Sequence, residues 1–435
     1  MGHSANRHGP YCVSARGDRQ TGQAPNGTWG TVAGLVYRLR FVVDRALDEP
    51  TAIVHDWFQG MHGSERVVDA VRSGLFGSGR EPDILTFAAA RGVLPDELSR
   101  RIVHESRLGS LPGIRQVGHE RGRWRYLLPY MPRYFASLDL SAYDLVIASS
   151  HACAVNVRPR PDALFVCYCH TPMRYAWLPG TDTGGGRALG GLGLRALRDY
   201  LRRQDREASR RPHAFAANST AVRDRIRRFY GRDATVIHPP VAVSELDVTT
   251  EKEPGHFLWV HRLVSYKQPE LVMDAFRDLP YRLTMVGVGP LEARLRRRLP
   301  PNVELLGWVP RGELAELFGR AAGFVHVAEE DFGISMVEAL AAGTPVVALD
   351  AGGARDIVRP GTDGILIERA GVRELQAALR ALAAASWDPE VLRNRALEFS
   401  TERFLERMRA WLDEASEEAR GRSVRWAASA LPQRP

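Results

Sequence analysis

Two series of short apolar runs, each separated from the next by a stretch of helical period, constrain this chain more than any other feature. In the first series the runs are Ala52–His55, Ile84–Phe87, Leu145–Ser149, Leu164–Tyr168, Phe215–Asn218 and Thr235–His238, with amphipathic stretches such as Ser64–Leu75 and Ala221–Tyr230 between them. The second series runs through Phe257–His261, Leu283–Gly287, Val303–Leu306, Gly323–Val327, Val346–Leu349 and Gly364–Ile367. Helical segments at Pro269–Arg277, Leu291–Leu299, Arg311–Ala321, Ser335–Ala342 and Val372–Ala384 separate these. Strands that alternate with helices pair through βαβ crossovers, which make parallel sheets. Between the series, His238–Gly255 carries three prolines and no helical period, and reads as a linker. The expected fold class is α/β, with two doubly wound Rossmann-like domains at residues 51–240 and 257–400 facing a central cleft, joined by a linker at 241–256. Ligands of such sheets bind at the carboxyl ends of the strands. Residues 1–50 read as a disordered or loosely packed extension, and 401–435 as a helix whose tail frays after Ser416.

A chain of 435 residues suits two domains, and 44% hydrophobic with 25% charged residues is the mix of a soluble globular protein. The stretch Thr31–Val43 comes nearest to a membrane span but is interrupted by Arg38 and Arg40, and no apolar leader opens the chain. The expectation is a cytoplasmic protein. Four cysteines, Cys12, Cys153, Cys167 and Cys169, show no CxxC spacing, which excludes a disulfide scaffold and argues against a zinc site. The net charge of +8 weakly favours acidic partners. Lysine occurs only at Lys252 and Lys267 in a chain otherwise served by arginine, which singles out those two positions.

Candidate chemistry gathers at strand ends. In Glu329-Glu330-Asp331-Phe332-Gly333-Ile334-Ser335-Met336-Val337-Glu338 an acidic loop precedes a helix, whose N-terminal N–H groups suit a phosphate. Glu330 and Glu338 either hold sugar hydroxyls around that anion or are ordinary charges at a helix end. Arg262 and Lys267 sit five residues apart in a strand-to-helix loop, where they clamp a diphosphate or face solvent. The turn Gly287-Val288-Gly289 is a phosphate loop or a plain turn. His170 ends a strand shortly before Pro172, on the cleft rim, as a functional or a structural imidazole. The stretch Arg121–Arg133, with Arg121, Arg123, Trp124 and Arg125, either meets anionic headgroups and a lipid-pyrophosphate acceptor or packs as a helix. Arg195–Arg211 reads as a solvated helix face.

With these segments in view the chain resembles the family 4 glycosyltransferases of the GT-B fold. Glu330 and Glu338 match that family's E-x7-E motif, Arg262 and Lys267 its R-L-x-x-x-K segment, and Gly63 its N-terminal glycine loop. Cys169–Trp177 (CHTPMRYAW) together with Glu329–Ile334 (EEDFGI) is similar to the branch of mannosyltransferases that assemble O-antigen-type polysaccharides. The likeness runs from about Ile53 to Phe404. It implies a retaining hexosyltransferase that moves mannose from GDP-mannose to a glycan or lipid-linked acceptor. No cofactor and no metal in the site are implied. Arg262 and Lys267 would hold the donor diphosphate, Glu330 the sugar and Glu338 the ribose. Gly333 and Ile334 would offer backbone contacts, and His170 would face the sugar across the cleft. Gly63, Gly287, Gly289 and Phe332 complete the implied donor site. The chain departs from the family pattern at Ser64, His261, Val288 and Ser335-Met336, and His261 is the bulkiest change.

Other readings are a glycosyltransferase with a UDP-sugar donor and a non-catalytic, glycosyltransferase-like binding subunit. A dinucleotide oxidoreductase is disfavoured because no G-x-G-x-x-G follows either first strand. Nucleic acid is not an expected partner. Peripheral contact with an anionic membrane, on the inner face of the cell membrane, is.

Overall fold

The computed structural model describes residues 47, 49–77, 79–109, 111, 127–178, 191–248 and 251–429. The first series forms a sheet of seven parallel strands: β1 (Thr51–His55), β2 (Asp83–Thr86), β3 (Ile102–Glu105), β4 (Leu145–Ser150), β5 (Leu164–Cys169), β6 (Ala214–Ala217) and β7 (Thr235–Val236). Their order across the sheet is β3-β2-β1-β4-β5-β6-β7. The second forms six parallel strands: β8 (Glu253–Val260), β9 (Arg282–Val286), β10 (Val303–Gly307), β11 (Ala321–His326), β12 (Val346–Leu349) and β13 (Gly364–Ile367), in the order β10-β9-β8-β11-β12-β13. Both are the doubly wound sheets anticipated from the alternating pattern.

The central strands β1, β4 and β5 are buried along their whole length, as strands covered by helices on both faces must be. Alternate residues of β1 therefore feed two cores: Ala52 and Val54 pack on one side of the sheet, Ile53 on the other. The edge strand β3 has no counterpart among the anticipated runs. Its pattern is broken because Val103 is 54% exposed and His104 and Glu105 follow, so an apolar-run criterion passes over it.

Two boundaries differ from expectation. Strand β8 begins at Glu253, inside the segment read as linker, and Val241, Val243 and Leu246 of that segment are buried in the second domain's core. The last helix, Thr401–Ser429, does not fray at Ser416, which is itself buried. Phe404, Met408, Trp411, Leu412, Ala415 and Ala419 recur at helical spacing and pack into the core of the first domain. The chain thus crosses between domains twice. At the crossing the Val241 amide donates to the Phe399 carbonyl at 3.0 Å, and Val241 bridges Ser400. Leu47 also packs on the first domain, while residues 1–46 lie outside the described chain. Among the described residues, no helix is long and apolar enough to cross a membrane.

Candidate functional site

In each sheet the strand order reverses beside the first strand, between β1 and β4 and between β8 and β11, and the two reversal points face one cleft of about 620 Å³. The second-domain wall is built first by the loop after β8. A short 3-10 turn at Ser265–Lys267 ends on Gln268, whose φ of 54° turns the chain sharply into the helix Pro269–Phe276. That turn swings Lys267 inward until it is 8% exposed, while Arg262 stays exposed on the cleft lining.

The other half of this wall follows β11. Gly333 takes φ 102° at the N-terminus of the helix Ile334–Ala341, a conformation that suits glycine, and a Cβ there would press within 2.4 Å of Met336 Cε. The acidic loop before it meets a cation at each carboxylate. Glu330 is in ion-pair contact with Lys267. Asp331 pairs with Arg174 at 2.5 Å and with Arg225, both from the first domain, and Arg225 also reaches Glu329 at 3.0 Å. Glu338, buried one turn inside the helix, pairs with Arg311 at 2.7 Å and with Arg66 of the first domain at 3.5 Å. Of these ion pairs, those of Arg174 and Arg225 with the acidic loop and of Arg66 with Glu338 join the two walls.

Behind Glu330 lie two imidazoles, with His261 Nδ1 3.5 Å and His326 Nε2 3.8 Å from Glu330 Oε1. The ligand atoms of the three residues lie within 4.8 Å of one another, a set that could hold a divalent ion. The Lys267 ammonium sits on the same carboxylate oxygen and supplies a positive charge there. Burial pushes both imidazoles well below 6.5, with Lys267 adding to the effect. Burial, with Arg174 next, pushes Lys267 down to about 7, while Asp331 pulls the other way.

The first-domain wall rests on Asp56, fully buried beyond β1. Its Oδ2 accepts from the amides of His151 at 2.7 Å and Ala152 at 2.9 Å, and its Oδ1 from those of Cys153 at 2.5 Å and Ala154 at 2.7 Å. One carboxylate thereby fixes the turn after β4. Beside it, His55 Nδ1 lies 3.1 Å from both the carbonyl and the hydroxyl of Ser149, and Ser149 Oγ lies 2.8 Å from His170 Nε2. Burial lowers His55 to about 4, and burial together with His151 and His55 holds His170 well below 6.5.

Of the anticipated site residues, His170, Arg262, Lys267, Glu330, Gly63, Phe332, Gly333, Ile334 and Glu338 all line the cleft. Gly287 and Gly289 do not. They sit behind the Arg262 loop, where a Cβ would meet the carbonyl oxygens of His261 at 1.9 Å and Leu263 at 2.5 Å, so their role is to let two turns pack. Arg121, Arg123, Trp124 and Arg125 lie outside the described residues. Asp331, Arg66, Arg311, Ser149, His55 and His326 fall within segments noticeable in the sequence but carry no anticipated role there. The signal that could have found His326 is position, since β11 ends on it as β1 ends on His55.

Two parallel-sheet Rossmann-like domains facing a single cleft define the GT-B class of glycosyltransferase folds. The model of Glycosyltransferase Family 4 matches residues 61–245, and that of Glycosyl transferases group 1 matches residues 247–399. The chain is built as a family 4 glycosyltransferase of the GT-B fold. It is 38% identical over 155 residues to a D-inositol 3-phosphate glycosyltransferase of Geodermatophilus obscurus, covering 34% of this chain and 32% of the relative. It is 37% identical over 110 residues to a GDP-mannose-dependent alpha-mannosyltransferase of Mycobacterium tuberculosis, covering 25% of this chain and 29% of the relative. The matches span about a third of the length of such curated relatives. Among solved structures, sucrose-phosphate synthase from Thermosynechococcus elongatus superposes with a TM-score of 0.62 at 17% identity, over 84% of this chain and 98% of that one, a likeness of fold.

Proposed function

We propose that this chain is a retaining hexosyltransferase. It would take mannose from GDP-mannose to a hydroxyl of a glycan or lipid-linked acceptor. The observation that carries the reading is the convergence of Arg262, Lys267 and the N-terminus of Ile334–Ala341 on one wall, opposite His170. As the anomeric bond to the diphosphate breaks and the bond to the acceptor oxygen forms, negative charge grows on the departing diphosphate. Those groups stand where that charge develops. Glu330 and Glu338, as hydrogen-bond acceptors, suit hydroxyls of the sugar and the ribose. The Lys267 ammonium supplies at this wall the charge a divalent ion would otherwise bring, so turnover should need no metal. The matches to GDP-mannose-dependent relatives support the donor assignment. The basic aromatic stretch at Arg121, Arg123, Trp124 and Arg125 would bring the enzyme to anionic headgroups, where its acceptor would reside.

Calorimetry with GDP and a donor panel test the scheme. Arg262→Ala and Lys267→Ala should weaken GDP binding. Glu330→Ala should abolish transfer yet keep GDP affinity, because it removes the partner that neutralises Lys267 in the free protein. Activity should persist in EDTA. Loss of GDP binding in Glu330→Ala with retention in Lys267→Ala would overturn the donor placement, and turnover of UDP-sugars alone would overturn the mannose assignment.

A further inference from the structure

The hydrogen bonds behind His170 determine which of its nitrogens carries the proton. A carbonyl oxygen only accepts, so the 3.1 Å contact between His55 Nδ1 and the Ser149 carbonyl requires the proton of His55 on Nδ1. The same N–H also points toward Ser149 Oγ at 3.1 Å, making that oxygen an acceptor from His55. The Ser149 hydroxyl hydrogen is then free to donate. Among the described residues its partner is His170 Nε2 at 2.8 Å. A nitrogen that accepts a hydrogen bond carries no proton, so the proton of neutral His170 belongs on Nδ1. His170 lines the cleft, whereas His55 and Ser149 do not. The other groups facing this cluster are Asp56, Glu65, His151 and the rings of Phe58 and Tyr168. None of these groups is hydrogen-bonded to His170 Nδ1.

We propose that His55 and Ser149 lock His170 as the neutral tautomer protonated on Nδ1, so that His170 meets the substrate as a fixed hydrogen-bond donor and not as a base. His55 and Ser149 are positioning residues. The tautomer stands on the geometry alone, and only the identity of what Nδ1 meets rests on the glycosyl-transfer reading.

Long-range proton–nitrogen NMR of protein labelled with ¹⁵N-histidine, with His170→Gln to assign the signal, reads the tautomer directly. The wild-type His170 should be a single neutral form protonated on Nδ1, unchanged between pH 6 and 8.5 (a window set by the lowered titration of His170). In Ser149→Ala the ring should populate both tautomers, and turnover of the nucleotide sugar should fall about tenfold, the worth of one ordinary hydrogen bond. Affinity for free GDP should be unchanged, and Ser149→Thr should restore both tautomer and turnover. A wild-type ring protonated on Nε2 would overturn the proposal, as would a tautomer or turnover indifferent to Ser149→Ala. The wild-type spectrum decides the matter even where the alanine variant fails to fold. A locked Nδ1 tautomer in a protein that turns over no nucleotide sugar would sink the proposed function and leave the lock standing.

Discussion

Each wall of the cleft carries two histidines at strand ends at or near the point where its sheet reverses order, yet the two pairs are held in different ways. On the first-domain wall, His55 and His170 are joined through Ser149, and Asp56 ties the neighbouring turn with four amide bonds. On the second-domain wall, Nε2 of His261 and both nitrogens of His326 have no hydrogen-bond partner. These rings stand behind Glu330 and Lys267, and charge organises that wall. The contrast teaches that one wall is set before any ligand arrives. The other is held by charges paired with one another, Lys267 on Glu330 and Arg311 on Glu338.

The largest effect that bears on the contrast is expected at Asp56. Asp56→Ala strands four amides, three of them buried, and should cost about 4 kcal/mol, read from urea denaturation. A cost below about 1 kcal/mol would mean that the first wall is not held in the way described. On the opposite wall Lys267→Ala should lower turnover by about 10²–10³, by analogy with lost oxyanion donors, with little change in stability. Steady-state kinetics beside a melting curve separates the two quantities.

The next effect is common to both walls. A buried imidazole kept neutral binds fewer protons than its unfolded counterpart once the pH drops below 6.5, so stability present above that pH is lost as pH falls toward the folded value. The shift of His55 from 6.5 to about 4 is worth roughly 3 kcal/mol across that window, and His170, His261 and His326 act in the same direction. Urea midpoints at pH 7 and pH 5 should therefore differ strongly. The smallest effect should be that of His326→Leu. Replacing unpaired buried nitrogens by an apolar side chain of similar size should keep stability within about 1 kcal/mol of wild type and flatten the acid limb. A cost of several kcal/mol would show the second wall to be as firmly bonded as the first.

The sheets were legible because buried parallel strands are continuous apolar runs, and β3 escaped because an edge strand needs no such run. The cleft residues were legible where a motif spans one loop, as with Glu330, Gly333 and Glu338. The pairing of Arg66, Arg174 and Arg225 with the other domain has no local signature, since 272 residues separate Arg66 from Glu338. The two lysines show both outcomes. Lys267 lines the cleft as anticipated. Lys252 donates to the carbonyls of Gly319 and Ala342 and to Thr344 Oγ1, tying two helix ends, and burial lowers it to about 8. Gly287 and Gly289 lie behind the cleft lining and not on it, and a glycine needed for packing and one needed for phosphate look alike in a sequence.

The double crossing between domains has a mechanical consequence. A single tether leaves two bodies free to swing about any axis, but two strands pinned side by side at Val241 and Phe399 leave one soft axis, the line through both pins. Any swing about that axis would have to part Asp331 from Arg174 and Arg225 together. The crossing is also shared property: a first domain cut off at residue 240 would lack the helix that fills its own core with Phe404, Met408 and Trp411, and would have to be expressed with that helix restored.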